Sequence, residues 1–328
     1  MVDIVCLGEI LLDMFPAELG RKLADVSAFQ PKPGGAPANA AVAAARLGKS
    51  SAFIGKVGED AFGHSLSQVL KDQGVDTRGV RFDPDARTTL AFIAKPDENT
   101  SEYVFYRNPG ADLMLRSDEL ERSLLEGTRA LHFGSLSLTG EPIRSATYQA
   151  VKLAAAAGAL ISFDVNYRPN LWSSPAEALK QIRAMLPNAN LLKVNEIELE
   201  LLAGHSHLET ACAALIAGGP ELVVVTLGAQ GSYFYCARGH GMLAAFKVQT
   251  LDATGCGDAF IAGLLSQLVE GENWRSHLYP DQLMKILRYA NAVGALTATQ
   301  VGVIPALPNA RQVAAFLAAQ IPSPLGEG

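Results

Sequence analysis

The stretch "DATGCGDAFIAGLLSQLV", residues 252–269, gives up backbone order at two glycines and then runs into a helical pattern of apolar residues. Gly255 and Gly257 let the main chain approach a ligand with no Cβ in the way. The unpaired N–H groups of the first helical turn then face that ligand, which makes the stretch a candidate anion site. The N–H groups of Gly255, Cys256 and Gly257, aided by the helix dipole, suit phosphoryl oxygens as charge builds during transfer. Asp258 stands where it can accept a proton from an attacking hydroxyl. Asp is equally a favoured helix N-cap, and the segment by itself leaves both readings open.

The rest of the chain narrows the ligand. With 328 residues and 49% hydrophobic content a large core is available. A net charge of −6, from 27 basic and 33 acidic residues, with no long basic run, argues against nucleic acid and anionic membrane surfaces. Small molecules are the expected partners. No apolar run approaches the ~20 residues of a membrane span, and the start "MVDIVCLGEILLD" lacks a basic n-region and a cleavage site, so a cytoplasmic protein is expected. Cys6, Cys212, Cys236 and Cys256 are scattered with no C-x-x-C pair, which suggests neither a disulfide framework nor a zinc site. At a helix N-terminus, Cys256 is expected to have a lowered thiol pKa and to be the most reactive of the four.

Short apolar runs that read as buried strands recur at Ile4–Gly8, Ala52–Val57, Ala130–Phe133, Ala159–Asp164, Leu191–Val194 and Leu222–Leu227. Ala- and Leu-rich helical stretches separate most of them, the mark of a parallel sheet covered on both faces. Two segments, about 9–33 and 87–106, break the rhythm. In the second, "TTLAFIA" and "EYVFY" look like a hairpin. A small sheet standing off the main one is expected to close over a ligand, pair with a second subunit, or both. The tail from Pro322 to Gly328 reads as disordered, and no internal repeat divides the chain, so residues 1–328 are expected to form one domain.

Nucleotide binding by the commonest loops is not supported: no G-x-x-x-x-G-K-[ST] occurs, and Phe260 stands where a dinucleotide fingerprint wants Gly or Ala. Other stretches carry chemistry. In "PGGAPANAAVAAARLG", residues 33–48, Gly34 and Gly35 can bring backbone against a sugar and Asn39 offers donors and acceptors, although a Gly turn into an Ala helix explains the segment as well. In "DVNYRPNLW", 164–172, an extended backbone turns Asp164, Asn166 and Arg168 to one side; an ordinary polar loop is the alternative. Asn195 and Glu198 form either a capping box or a pair that holds waters around magnesium. "TLGAQG", 226–231, ends a strand in a turn fit either to contact nucleotide or to make a plain hairpin.

Together and in this order, these segments resemble the ribokinase-like (PfkB-type) sugar kinases, and within them the fructokinases. "PGGAPANAAVAAARLG" resembles the family's N-terminal signature and "DATGCGDAFIAGLL" its C-terminal one, with "FIGKVGEDAFG", "FYRNPGADLML" and "NEIELE" similar between them. The resemblance implies a three-layer α/β/α fold with a central, mostly parallel sheet and a small β-sheet lid that often mediates homodimers. It implies Asp258 as catalytic base, with the N–H groups of Gly255, Cys256 and Gly257 as the anion hole. Asp13, Gly34, Gly35 and Asn39 match sugar contacts, with Arg107 and Arg168 at the sugar mouth. Asn195 and Glu198 match the motif near Mg2+ and phosphate. Thr226, Gly228 and Gly231 fall in the nucleotide turn and Asn291 on the adenine side. Asp252 and Thr254 match a monovalent-cation loop for K+, completed from around Gly302. The family usually has Thr at 253 and Ala at 256, where this chain has Ala and Cys.

The activity this implies is ATP-dependent phosphorylation of a furanose primary hydroxyl, D-fructose giving fructose 6-phosphate. Kinases for 2-keto-3-deoxygluconate or a riboside are the near alternatives, the first because paired guanidiniums at Arg107 and Arg168 suit a carboxylate. A non-catalytic sugar-binding relative is the alternative of another class. Asp258 and the complete glycine loop speak against it.

Overall fold

The computed structural model describes residues 1–18, 20–94, 96–97 and 102–320; the tail at 322–328 lies outside them. The chain begins with β1 (Val2–Leu7), then leaves for β2 (Leu11–Pro16) and β3 (Phe29–Gly34). It returns through α1 (Ala36–Arg46), β4 (Ser51–Gly58), α2 (Ala61–Asp72) and β5 (Asp76–Asp83). A second excursion forms β6 (Leu90–Ala94) and β7 (Glu102–Tyr106). Strand and helix then alternate through α3 (Arg122–Leu125), β8 (Thr128–Gly134), α4 (Ile143–Ala156), β9 (Leu160–Asp164) and α5 (Pro175–Met185). Next come β10 (Leu191–Asn195), α6 (Glu196–Ala203), α7 (Leu208–Ile216) and β11 (Leu222–Thr226). The chain closes with β12 (Ser232–Cys236), β13 (Gly239–Leu243), α8 (Cys256–Leu268), α9 (Pro280–Ala298) and α10 (Ala310–Ala319).

All six apolar runs become strands of one nine-stranded sheet, in the order β13-β12-β11-β10-β9-β8-β1-β4-β5. The pairs from β5 to β11 are parallel, and β12 and β13 add an antiparallel hairpin at the edge. Alternate residues of each strand feed different cores: Ile4 and Cys6 pack with α1, α8 and α9, while Val5 and Leu7 pack with α4 to α7. Burial on both faces is why the strands read as unbroken apolar runs. β5, β12 and β13 carry mixed sequence because they lie at or near the edges, and the apolar runs did not reveal them. Among the described residues, no helix is long and apolar enough to cross a membrane.

The two irregular segments come together as a second, four-stranded sheet, order β3-β2-β6-β7. The expected hairpin forms, with Leu90 opposite Tyr106 and Ala94 opposite Glu102. It starts later than "TTLAFIA" suggests, because Thr88 and Thr89 turn their hydroxyls to Asp60 and Asp112 instead. One face of this sheet, carrying Asp13, Ile93, Tyr103 and Phe105, looks into the cleft beside the main sheet. The other carries Phe29, Phe92 and Tyr106, edge to face with centroids 5.0 and 5.3 Å apart.

The crossing from this sheet back to α1 depends on Gly35. Its φ of +106° is one L side chains rarely adopt, and a Cβ there would lie 2.5 Å from the carbonyl oxygen of Glu9. Beyond it, α1 is almost pure alanine on its buried face, so α8 packs close against it.

Candidate active site

The parallel strands end at the rim of a cleft of about 470 Å³, at the point where strand order reverses between β4 and β8 on either side of β1. Open α/β sheets bind their ligands at such a place. Glu9 follows β1, Leu136 follows β8, Asp164 ends β9, Asn195 ends β10 and Thr226 ends β11; all line the cleft. The start of α8 forms one wall and the small sheet another.

At the head of α8 the N-cap is Gly255, with φ +78° and no side-chain cap. Asp258 therefore does not cap the helix. It sits in the first turn, and its Oδ2 accepts a 2.8 Å hydrogen bond from Asn39 Nδ2 on α1. Burial pushes the Asp258 carboxyl up to about 6; Asp164 adds to the rise, while Asn39, Lys193 and Arg168 oppose it. Asp13, on β2 across the cleft, is pushed to about 7 by burial and then by Asp258.

The N–H groups of Gly255, Gly257 and Asp258 make no hydrogen bond among the described residues, and all three residues line the cleft. That of Cys256 differs from expectation: it donates to Ala253 O at 3.3 Å, and Cys256 is not a lining residue. Its thiol points to Asp252 O. Burial, then the carboxylates of Asp252 and Asp258, push the thiol up to about 11, the opposite of the expected activation. Desolvation and two nearby negative charges outweigh the helix dipole here.

Around the rim, Asn195 and Glu198 form the capping box and also line the cleft. Glu198 accepts from Tyr167 N at 2.7 Å with one oxygen and from Asn195 N at 2.8 Å with the other. Asp164, Asn166 and Arg168 all reach the cleft, although not from extended backbone: Asn166 has φ +37°. Asp252 holds the loop before α8, accepting from Thr254 N and Oγ1 with one oxygen and from Gly302 N, at 3.1 Å, with the other. The two segments of the expected cation loop thus meet.

Several expected residues stand elsewhere. Arg107 is buried, giving Nε and Nη2 to Asp112 at 2.7 and 2.6 Å, Nη1 to Thr139 at 3.0 Å and Nη2 also to Leu136 O at 3.3 Å. It is not a lining residue of the cleft, so the paired guanidiniums expected for a carboxylate are not there. Asn291 is buried on α9 and reaches the carbonyls of Leu243 and Ala244 at 3.5 and 3.4 Å, tying down the chain after β13. Gly228 and Gly231 build the hairpin turn between β11 and β12, and of that stretch only Thr226 lines the cleft. Gly34 lies behind Asp13, where a Cβ would overlap the carboxylate.

Two charged lining residues belong to none of the motifs. Lys193, alone among the apolar residues of "LLKV", is buried and donates to Asp164 Oδ2 at 2.7 Å. Burial alone would lower its pKa, but Asp164, Glu198 and Asp258 outweigh burial and hold the ammonium charged. A lysine in a strand covered on both faces has to be paired, and that was a usable signal. Glu9 is buried at the end of β1, and only its place just past a strand's carboxyl end pointed to it.

Six carboxyl groups and two cationic ones, Arg168 and Lys193, therefore line the cleft. Such a site favours a polyhydroxylated neutral ligand at the acidic end and needs cations to accompany a polyphosphate.

Comparison with known proteins adds to this geometry. The model of the pfkB family carbohydrate kinases matches residues 1–310. The chain is 44% identical over 319 residues to probable fructokinase-2 of Arabidopsis thaliana, covering 97% of this chain and 96% of that one. Among solved structures it is similar to a fructokinase with bound ATP from Xylella fastidiosa, with TM-score 0.87, 34% identity and coverage of 97% and 98%. It is equally similar, with TM-score 0.87, 34% identity and the same coverage, to a double mutant of fructokinase from Vibrio cholerae O395 with fructose, ADP and potassium ion bound.

The raised carboxyl of Asp258 carries a stability consequence. Its folded-state pKa of about 6 exceeds the ordinary 3.8, so ionising it costs the folded state free energy, fully felt above pH 6 and absent below about pH 4. Asp258→Asn keeps an acceptor for Asn39 without that charge. It is expected to stabilise the ligand-free protein by about 1–3 kcal/mol at pH 8, a gain that fades between pH 6 and pH 4. Chemical denaturation across that range measures it; a variant less stable at pH 8 would contradict the electrostatics.

Proposed function

The chain belongs to the pfkB family of carbohydrate kinases, and from that premise we propose that it is an ATP-dependent fructokinase, forming fructose 6-phosphate. The observation that carries the reading is Asp258: a carboxyl held near pKa 6 beside three unengaged first-turn amides. The sugar's primary hydroxyl oxygen attacks the γ-phosphorus. As that bond forms, the bond to the bridging oxygen of ADP breaks and the hydroxyl proton passes to Asp258. The amides of Gly255, Gly257 and Asp258 stabilise the equatorial oxygens, with Lys193 and Arg168 adding positive charge. Asp13 and Asn39 hold the sugar. Asn195 and Thr226 face the nucleotide side. With Arg107 enclosed by Asp112, the cleft offers a sugar acid one guanidinium rather than two, which favours a neutral sugar.

Mg2+ fits this site through water rather than directly. Each oxygen of Glu198 accepts one backbone N–H and keeps a further lone pair for a metal-bound water, and Asp164 Oδ1 is buried in the cleft lining with no hydrogen-bond partner among the described residues. Asp164, Asn195 and Glu198 would hold the hydrated ion, which supplies charge neutralisation to the phosphates. The meeting of the 252–254 and 302 segments supports a K+ loop behind the anion site.

The outer face of the small sheet leaves Val104 at 44% and Tyr106 at 65% exposure beside the Phe29–Phe92 pair, which supports a homodimer through this face. An ATP-consuming role and four free cysteines support the cytoplasm as its compartment.

Mixed with fructose and MgATP, the protein is expected to release ADP, and Asp258→Asn to lose about 10²- to 10⁴-fold in kcat with fructose binding retained. ADP release from some other sugar in a matched panel, with none from fructose, would reject the substrate; near-normal turnover of the variant would reject the base. Light scattering at micromolar concentration should report a dimer that Tyr106→Glu converts to monomer. A wild-type monomer would contradict the proposed interface.

A further inference from the structure

Glu9 has no part in the chemistry described so far, yet its surroundings are unusual. It sits where the chain leaves β1 for the small sheet, is 4% exposed, and lines the cleft together with Asp13, Gly35 and Asn39. One carboxylate oxygen, Oε1, accepts from Ala36 N at 3.1 Å and clips the outgoing chain to the returning one at the start of α1. The other, Oε2, is buried with no hydrogen-bond partner among the described residues. Its own backbone N–H and the Arg107 guanidinium favour the charged form, but Arg107 makes no hydrogen bond to it, giving those to Asp112, Thr139 and Leu136 O. Burial outweighs both and pushes the carboxyl up to about 7.

A buried carboxylate oxygen left without a donor is costly, and it persists where a ligand supplies the donor. Asn39 Oδ1 is a second buried acceptor in the same wall with no partner among the described residues. These two orphaned acceptors lie buried in the wall beside Asp13, where a hydroxyl proton pressed against that wall would satisfy them and a ligand bringing its own negative charge would be repelled.

We propose that Glu9 is a specificity-determining residue: its Oε2 accepts a hydrogen bond from a non-reacting hydroxyl of a neutral ketose, and its charge excludes sugar acids from the cleft. The assignment rests on the fructokinase reading and deepens it. Glu9 acts on the bound sugar equally before and during transfer, because Asp258, not Glu9, handles the reacting proton. Its contribution therefore falls on KM and leaves kcat alone.

Glu9→Gln separates this role from the clip. The amide oxygen still accepts from Ala36 N, while an NH2 donor replaces Oε2. Steady-state kinetics of wild type and variant with fructose and with 2-keto-3-deoxygluconate, at a pH well above 7 where the Glu9 carboxyl is ionised, form the test. The expected result is a rise in KM for fructose of about tenfold with kcat within about threefold, as fits a lost hydrogen bond to a charged group. The ratio of kcat/KM for fructose to that for the sugar acid should fall at least as far. An unchanged KM, or a loss of kcat/KM shared equally by both substrates, would overturn the proposal, since a purely structural clip lowers both alike. If Glu9→Gln fails to fold, as judged by its melting temperature, Glu9→Asp, which withdraws the acceptor by one methylene but keeps the charge, should raise KM for fructose while the sugar acid stays excluded, and an unchanged KM for fructose would overturn the proposal. A wild-type protein inactive on fructose would instead remove the reading on which the proposal rests.

Discussion

The hydrogen bond from Asn39 Nδ2 to Asp258 Oδ2 joins two helices whose residues lie 219 positions apart in the chain. It exists because α1 and α8 pack closely, and they pack closely because the buried face of α1 is mostly alanine. The bond sets the direction of the Asp258 carboxyl and opposes the pKa rise that burial imposes. The crossing at Gly35 brings α1 to this position, and the loop held by Asp252 does the same for α8. Each of these features has meaning only as support for one carboxylate at the cleft floor.

That carboxylate works in a crowded electrostatic field. Glu9, Asp13 and Asp258 share one end of the cleft, and burial raises all three. Toward the other end Lys193 is held charged by Asp164, and each oxygen of Glu198 accepts one backbone N–H. The division suits a neutral, donor-rich sugar against a polyanion: acceptors wait where hydroxyls are expected, and amides and ammonium wait where phosphate is expected. The two cores on either side of the main sheet offset the cost of this crowding.

Much of this was legible in the chain. Strands covered on both faces must be apolar throughout, so "DIVCLG" and "LVVVTL" announced themselves, and the glycines of "TGCGD" could be read from what a missing Cβ allows. The small sheet was legible from segments that broke the alternation. What could not be read were facts of direction. Nothing local to Cys256 says that its side chain turns from the cleft toward Asp252 O, or that its N–H is spent on Ala253. Arg107 has the same residue type as Arg168, and only the fold shows that Asp112 encloses one while the other reaches the cleft. Edge strands such as "HGML" lack the apolar signature because one side meets solvent.

The most direct measurement of the central claim is the pH dependence of kcat with fructose at saturation, which leaves aside the binding roles of Glu9 and Asp13, in wild type and in Asn39→Ala. If Asp258 is a base poised by burial and restrained by Asn39, the wild-type rate should rise with unit slope to a break near pH 6 and then level off. Removing the Asn39 donor, which holds the pKa down, should move that break to higher pH. A rate flat across pH 6, or a break that stays in place or moves to lower pH in Asn39→Ala, would contradict the account.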